Sequence, residues 1–153
     1  DHNYLFFIQL DQVKWTEVCM EIKEYTDFNF DAIKQLYDAV GWQVYTKNMP
    51  ALREGYKRSL KILAAYDQDQ LLGIIRAVGD GATIVFIQDL LVDPAYQRQG
   101  IGSGLVKAML DLYQDVRQVE LDTDITDKTI AFYQSVGFKE YSELGCCGFM
   151  RLL

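Results

Sequence analysis

The sequence predicts a single α/β (α+β) domain, a mixed central β-sheet of about seven strands flanked by about four helices. Three observations lead there. Apolar runs and alternating stretches take turns with segments whose apolar residues recur at steps of three and four, so strands and helices interleave. Three strand-like segments in mid-chain follow one another across short polar turns, which calls for antiparallel pairing. Later strand-like segments are separated by helical patterns long enough for parallel crossovers. The 153 residues, half of them hydrophobic, suit one core.

Taken in order, residues 1–19 form an N-terminal extension, and residues 4–10 read as an added strand or a covering arm. The domain proper spans 20–153. Residues 21–25 alternate and read as its first strand. Thr26, Asp27 and Asn29 offer caps for a helix carrying Phe30, Ile33, Tyr37 and Val40 on one stripe, ended by Gly41. Residues 41–50 read as a polar and aromatic loop, and a second helix is expected over 51–60 with Leu52 and Tyr56 on one face. Strands follow at 61–66, 71–78 and 83–92, the last two joined by Asp80-Gly81, a hairpin signal. A third helix begins near Gly102 and aligns Leu105, Met109, Leu112 and Val116. Residues 119–122 form a short strand. Thr126 or Asp124 caps a fourth helix bearing Ile130, Tyr133 and Val136, with Gly137 at its end. Residues 138–141 and 149–153 read as a closing strand pair around Gly145-Cys146-Cys147-Gly148. The sheet should be antiparallel in its first part and parallel at its centre.

Composition removes several classes of function. A net charge of −7 gains nothing from counterion release, so nucleic acid is not expected as a partner, whereas a cationic substrate is compatible. No apolar run approaches the roughly 20 residues that span a bilayer, and the start has no basic leader, so neither a membrane nor a signal peptide is expected. Three cysteines make no disulfide framework and suit a reducing, cytoplasmic compartment. A single histidine, His2, leaves too few ligands for a metal.

The segment Gln97-Arg98-Gln99-Gly100-Ile101-Gly102-Ser103-Gly104 carries the chemistry. It joins a strand to a helix. A helix start presents unpaired N–H groups and partial positive charge, and glycines let a ligand approach the main chain. The expected ligand group is a pyrophosphate. A Walker loop requires a Gly-Lys-Ser/Thr that is missing here, and a Rossmann turn requires Gly-x-Gly-x-x-Gly after a first strand, which this late turn does not offer.

Residues 90–102, with Gln97, Gly100 and Gly102 at the signature positions, resemble the acetyl-coenzyme A motif of the GCN5-related N-acetyltransferases (GNAT). Ala131-Phe132-Tyr133-Gln134-Ser135-Val136-Gly137-Phe138 resembles that family's Phe-Tyr-x-x-x-Gly-Phe helix end, and the order of elements matches its fold. The resemblance covers about residues 20–153. It implies that backbone amides of Arg98, Gln99, Gly100, Ile101, Gly102 and Ser103 hold the pyrophosphate. It also implies that the main chain of Leu90, Leu91 and Val92 pairs with the pantetheine arm and polarises the thioester carbonyl. Tyr133 matches the tyrosine that serves as general acid toward the coenzyme sulfur. Thr126 stands where the family often has Asn, seven residues before that tyrosine, so a pantetheine contact there is less direct.

The implied reaction is direct transfer of an acetyl group from acetyl-coenzyme A to a primary amine in a ternary complex, with no metal. The alternative is a non-catalytic coenzyme A sensor of the same fold. Other readings of single residues stay open. Tyr133 is a catalytic acid or a core aromatic. Asp89 is a general base, directly or through water, or a solvated strand residue. Glu120 and Asp122 are weaker base candidates. Trp42, Tyr45 and Tyr56 wall an acceptor pocket or simply pack. Asp111, Asp115, Asp122, Asp124 and Asp127 read as a solvated face rather than a paired-carboxylate site. Cys146 and Cys147 read as incidental thiols or acyl carriers. A homodimer, paired through residues 1–19 or the C-terminal strands, is expected.

Overall fold

The computed structural model describes residues 4–5 and 20–152. The chain divides into two compact units, meeting in sequence at Asp122 and Thr123.

The first unit holds a six-stranded sheet in the order β1-β2-β3-β4-β5-β6. These strands are β1 (Tyr4–Leu5), β2 (Met20–Glu24), β3 (Lys61–Asp67), β4 (Gln70–Gly79), β5 (Ile84–Val92) and β6 (Gln118–Leu121). All neighbours are antiparallel except β5 and β6, so the parallel pair lies at the sheet's edge and not at the expected centre. Tyr4 pairs with Ile22, which makes part of the N-terminal stretch an added strand; the remainder of 1–19 lies outside the described residues. The β4–β5 turn is held by Asp80, whose carboxylate accepts from the N–H groups of Ala82, Thr83 and Ile84 at 2.7–3.1 Å, with Gly81 at φ +72°.

One face of the sheet is covered by α1 (Phe30–Ala39) and α3 (Met49–Lys57). There Ile33, Leu36, Tyr37, Met49, Leu52 and Tyr56 bury against Ile62, Ala64, Ile74 and Leu91. Asn29 caps α1 by accepting from Ala32 N–H at 3.0 Å. The expected loop over 41–50 is instead part helical. A short α2 (Gln43–Thr46) follows Gly41, and α3 starts two residues early because Asn48 accepts from Ala51 N–H at 3.1 Å and Pro50 fits a first helical turn. The opposite face carries α4 (Ile101–Leu112), whose Ile101 and Leu105 crowd Gly73 closely enough that a Cβ there would meet both at 3.4 Å.

The second unit contains α5 (Asp127–Ser135), capped by Thr126, with Gly137 at φ +98° after it. The closing strand pair does not form. Glu143 accepts from the Glu140 N–H at 3.0 Å and starts a 3-10 turn over Tyr141–Leu144, which Gly145 ends at φ +74°. Residues 145–152 have no strand partner among the described residues, and Phe149 and Met150 are 95% and 72% exposed. The described sheet has six strands, in keeping with the expected number of about seven, and the helix beyond the expected four or so is α2.

Candidate functional site

After β5 the chain makes a 3-10 turn over Pro94–Tyr96, capped by Asp93, which accepts from Ala95 N–H at 2.9 Å. Gln97 then reaches back, its side-chain amide donating to the Val92 carbonyl at 3.2 Å. Two left-handed residues follow, Arg98 at φ +64° and Gly100 at φ +81°, and they reverse the chain into α4. Left-handed backbone is costly for a residue with a Cβ, so Gly100 suits its place on conformation alone. The helix starts on Gly100 with no side-chain cap. The first intrahelical bond runs from Gly104 N–H to Gly100 C=O at 2.9 Å, and the N–H groups of Ile101, Gly102 and Ser103 have no acceptor among the described residues. A helix start of twelve residues with bare donors and a positive dipole end fits a phosphate group.

Among the described residues, the strand leading into this turn is open along half of one edge. β6 pairs with β5 only from Ile84 to Ile87, while β4 stays paired with β5 as far as Val92. Leu91's carbonyl turns to β4, where a Cβ on Gly73 would meet it at 2.7 Å. Alternation along a strand then sends the main-chain groups of Leu90 and Val92 to the open edge. Leu91 was expected with them. Its main chain faces the paired side, and its side chain joins the core under α1 and α3.

A polar cluster lies buried one residue upstream. In the register of β4 and β5, Arg76 opposes Asp89 but Ala77 opposes Ile87, so Gln88 is a bulge. Asp89 is 1% exposed and Arg76 7%, which corrects the solvated reading of Asp89. One Asp89 oxygen, Oδ2, accepts from Arg76 Nε at 2.5 Å and from the Tyr37 hydroxyl at 2.8 Å. The Tyr37 and Tyr56 hydroxyls share a hydrogen bond of 3.0 Å, and Arg76 also donates to Ser59 Oγ at 3.3 Å. The other carboxylate oxygen of Asp89, Oδ1, is buried without a partner among the described residues. Burial works against the Arg76 charge, but the Asp89 carboxylate outweighs it and holds the guanidinium above its usual pKa. Burial, reinforced by Tyr56 and Asp89, pushes the Tyr37 hydroxyl far above the ordinary phenol range, and burial likewise raises Tyr56. Both phenols are neutral donors at any working pH.

Sequence reasoning passed over Arg76 and treated Tyr37 as a core position. The signal was present in the apolar context of β4, where Arg76 is the lone charge between Leu71 and Val78 and so required a buried partner. Trp42, Tyr45 and Tyr56 do gather around Tyr37, with ring centroids 5.8–6.4 Å from it.

In the second unit the Thr126 hydroxyl is committed to the helix cap, accepting from Thr129 N–H at 3.1 Å. Tyr133 packs edge-on against Phe132 and Phe138, and burial raises its hydroxyl's pKa, which keeps it protonated. Cys146 and Cys147 are exposed free thiols. No group of three or more His, Cys, Asp or Glu among the described residues is arranged to hold a metal ion, and no described helix is long and apolar enough to cross a membrane.

Residues 58–140 match the family model described as an acetyltransferase (GNAT) domain. A GNAT-family acetyltransferase from Streptococcus pneumoniae TIGR4 is 40% identical, with a TM-score of 0.79 over 88% of this chain and 98% of that one. A histone acetyltransferase TAP1 of Glycine max is 32% identical over 70% of this chain and 50% of its own length. The chloroplastic GCN5-related N-acetyltransferase 2 of Arabidopsis thaliana is 38% identical over 47% of this chain and 28% of its own. The chain thus spans half or less of the length of these two plant relatives.

Proposed function

This chain belongs to the GNAT acetyltransferase family, and on that premise we propose that it transfers an acetyl group from acetyl-coenzyme A to a primary amine. One succession carries the proposal: the open edge of Leu90 and Val92 is followed, after the turn over residues 93–100, by the bare N–H groups of Ile101, Gly102 and Ser103. A long ligand with an amide-bearing arm and a pyrophosphate needs such a pairing edge followed by an anion cradle. Gln97, Arg98, Gln99 and Gly100 form the turn that joins the two, while the roles of Thr126 and Tyr133 rest on the match of their own segment to the family's helix end.

The chemistry proposed for these residues is short. An unprotonated amine attacks the thioester carbonyl carbon, the C–N bond forms, the C–S bond breaks, and the coenzyme leaves as a thiolate that needs a proton. A main-chain N–H on the open edge stabilises the developing oxyanion. Tyr133 supplies the proton, a role that rests on the match of its segment to the family's helix end; its hydroxyl is neutral and so has a proton to give. Asp89 acts as base only through intermediaries, because its carboxylate is buried and engaged by Arg76 and Tyr37. The hydroxyls of Tyr56 and Tyr37 form the path, and Asp89 Oδ2, which accepts from the Tyr37 hydroxyl, is its end. Holding both substrates together supplies much of the rate.

A thiol-release assay with acetyl-coenzyme A over a panel of amines tests the reading. The wild type releases thiol with at least one amine, and Tyr133→Phe lowers kcat about 100-fold with little change in KM for acetyl-coenzyme A. Tight coenzyme binding without release on any amine would instead mark a sensor domain.

A further inference from the structure

A groove of about 420 Å³ opens in the first unit on the face covered by α1 and α3. Its walls include three aromatic rings, Tyr25, Phe28 and Tyr66, and two carboxylates, Asp27 and Asp69. The carboxylates come from different elements, Asp27 from the segment after β2 and Asp69 from the turn between β3 and β4. Neither has a cationic partner among the described residues. The Tyr66 ring already accepts an ammonium group, since Lys23 Nζ lies 4.6 Å from its centroid; Lys23 is in turn balanced by Glu21 at 3.7 Å. Burial and, to a lesser degree, the Asp27 charge raise the Tyr25 hydroxyl's pKa, so that carboxylate acts electrostatically on this wall.

The groove lies beside the open strand end. Leu71 lines it, the next two residues of β4 adjoin the end of β5, and Gly73 pairs with Val92. Asp93 N–H donates to the Leu72 carbonyl at 2.8 Å. Adjacent strands are about 4.8 Å apart and Leu71 lies two residues, about 7 Å, along β4 from Gly73, so the groove begins roughly 8 Å from Val92. Its aromatic wall also leads inward, with Phe28 5.1 Å and Tyr25 6.1 Å from the Tyr56 ring.

We infer that the groove binds a cationic group of the acceptor that is not itself acetylated, so the acceptor class is an amine carrying a second positive charge. This inference deepens the transferase reading and rests on it for the word acceptor. The physical reason is a division of labour between two nitrogens. An ammonium held by two carboxylates and aromatic faces is stabilised in its charged form and cannot attack a carbonyl. A second nitrogen on the same molecule, beyond the groove, loses its proton and forms the C–N bond as the thioester C–S bond breaks. A monoamine must choose between docking and reacting.

Putrescine and butylamine share one carbon chain and differ by the second charge. Calorimetry on the whole chain without acetyl-coenzyme A should give putrescine an affinity at least about tenfold higher than butylamine. Asp27→Asn with Asp69→Asn should erase that difference, as should Tyr66→Leu, with circular dichroism confirming the fold of each. Equal affinity for the two amines, or a preference untouched by all these variants, overturns the inference. Thiol release measured alongside separates the two levels. Selective putrescine binding without turnover leaves the groove standing and counts against the transfer reading; turnover of both amines with no binding preference does the reverse.

Discussion

Asp89 takes a carboxylate to 1% exposure, which is tolerable only because Arg76 and Tyr37 reach it. Removing one charge of such a pair leaves the other buried and uncompensated. Asp89→Asn is therefore expected to cost about 3–5 kcal/mol in urea denaturation, whereas Arg76→Met combined with Asp89→Leu should recover most of that loss. A single-variant loss under about 1 kcal/mol would show that solvent reaches the pair. This cluster was only half legible in the sequence. Val85, Ile87, Asp89 and Leu91 share one parity, and alternation alone puts them on one face. The bulge at Gln88 shifts the phase, so Asp89 and Leu91 meet the α1–α3 side while Ile87 stays in register with Ala77. Nothing in the residue pattern announces a one-residue bulge.

Among the elements, the turn into α4 makes the sharpest prediction. Gly100 sits at φ +81°, and an aspartate there adds left-handed strain of about 1–2 kcal/mol. Its charge also faces the place assigned to a pyrophosphate. Gly100→Asp should keep a cooperative thermal transition yet weaken acetyl-coenzyme A binding about 100-fold or more by calorimetry. Unchanged affinity would remove the cradle from this turn. Elements fixed by local chemistry were readable: Asn29 caps α1, Thr126 caps α5, and Gly41 and Gly137 take positive φ where their helices stop. Elements that depend on neighbours were not. The Asn48 cap drew α3 into what read as a loop, and the apolar residues near Phe149 resembled a strand although residues 145–152 pair with none.

For the whole molecule, the order of helices and strands through β6 followed from periodicity apart from the short α2, and the relatives agree with it at the level of fold and family. What periodicity does not encode is how far two strands stay paired, and that governs the open edge. Net charge belongs to this scale as well. At −7 the chain attracts a dication and repels the anionic coenzyme over distances that salt shortens. Raising ionic strength from about 50 mM to about 300 mM should lower kcat/KM for putrescine several-fold and leave kcat nearly constant. A salt-independent kcat/KM would mean that long-range attraction plays no part in acceptor capture.

The short β6 has a consequence for inhibition. It spans Gln118 to Leu121, and the rungs of β5 beyond Ile87 are left to whatever extended backbone arrives. If the coenzyme's arm pairs with this edge as proposed, a peptidomimetic that copies those rungs needs no phosphate and no contact with the glycine turn to shut it out. Resistance to such a compound is hard to acquire by changing side chains, because the atoms it recognises belong to every amino acid alike.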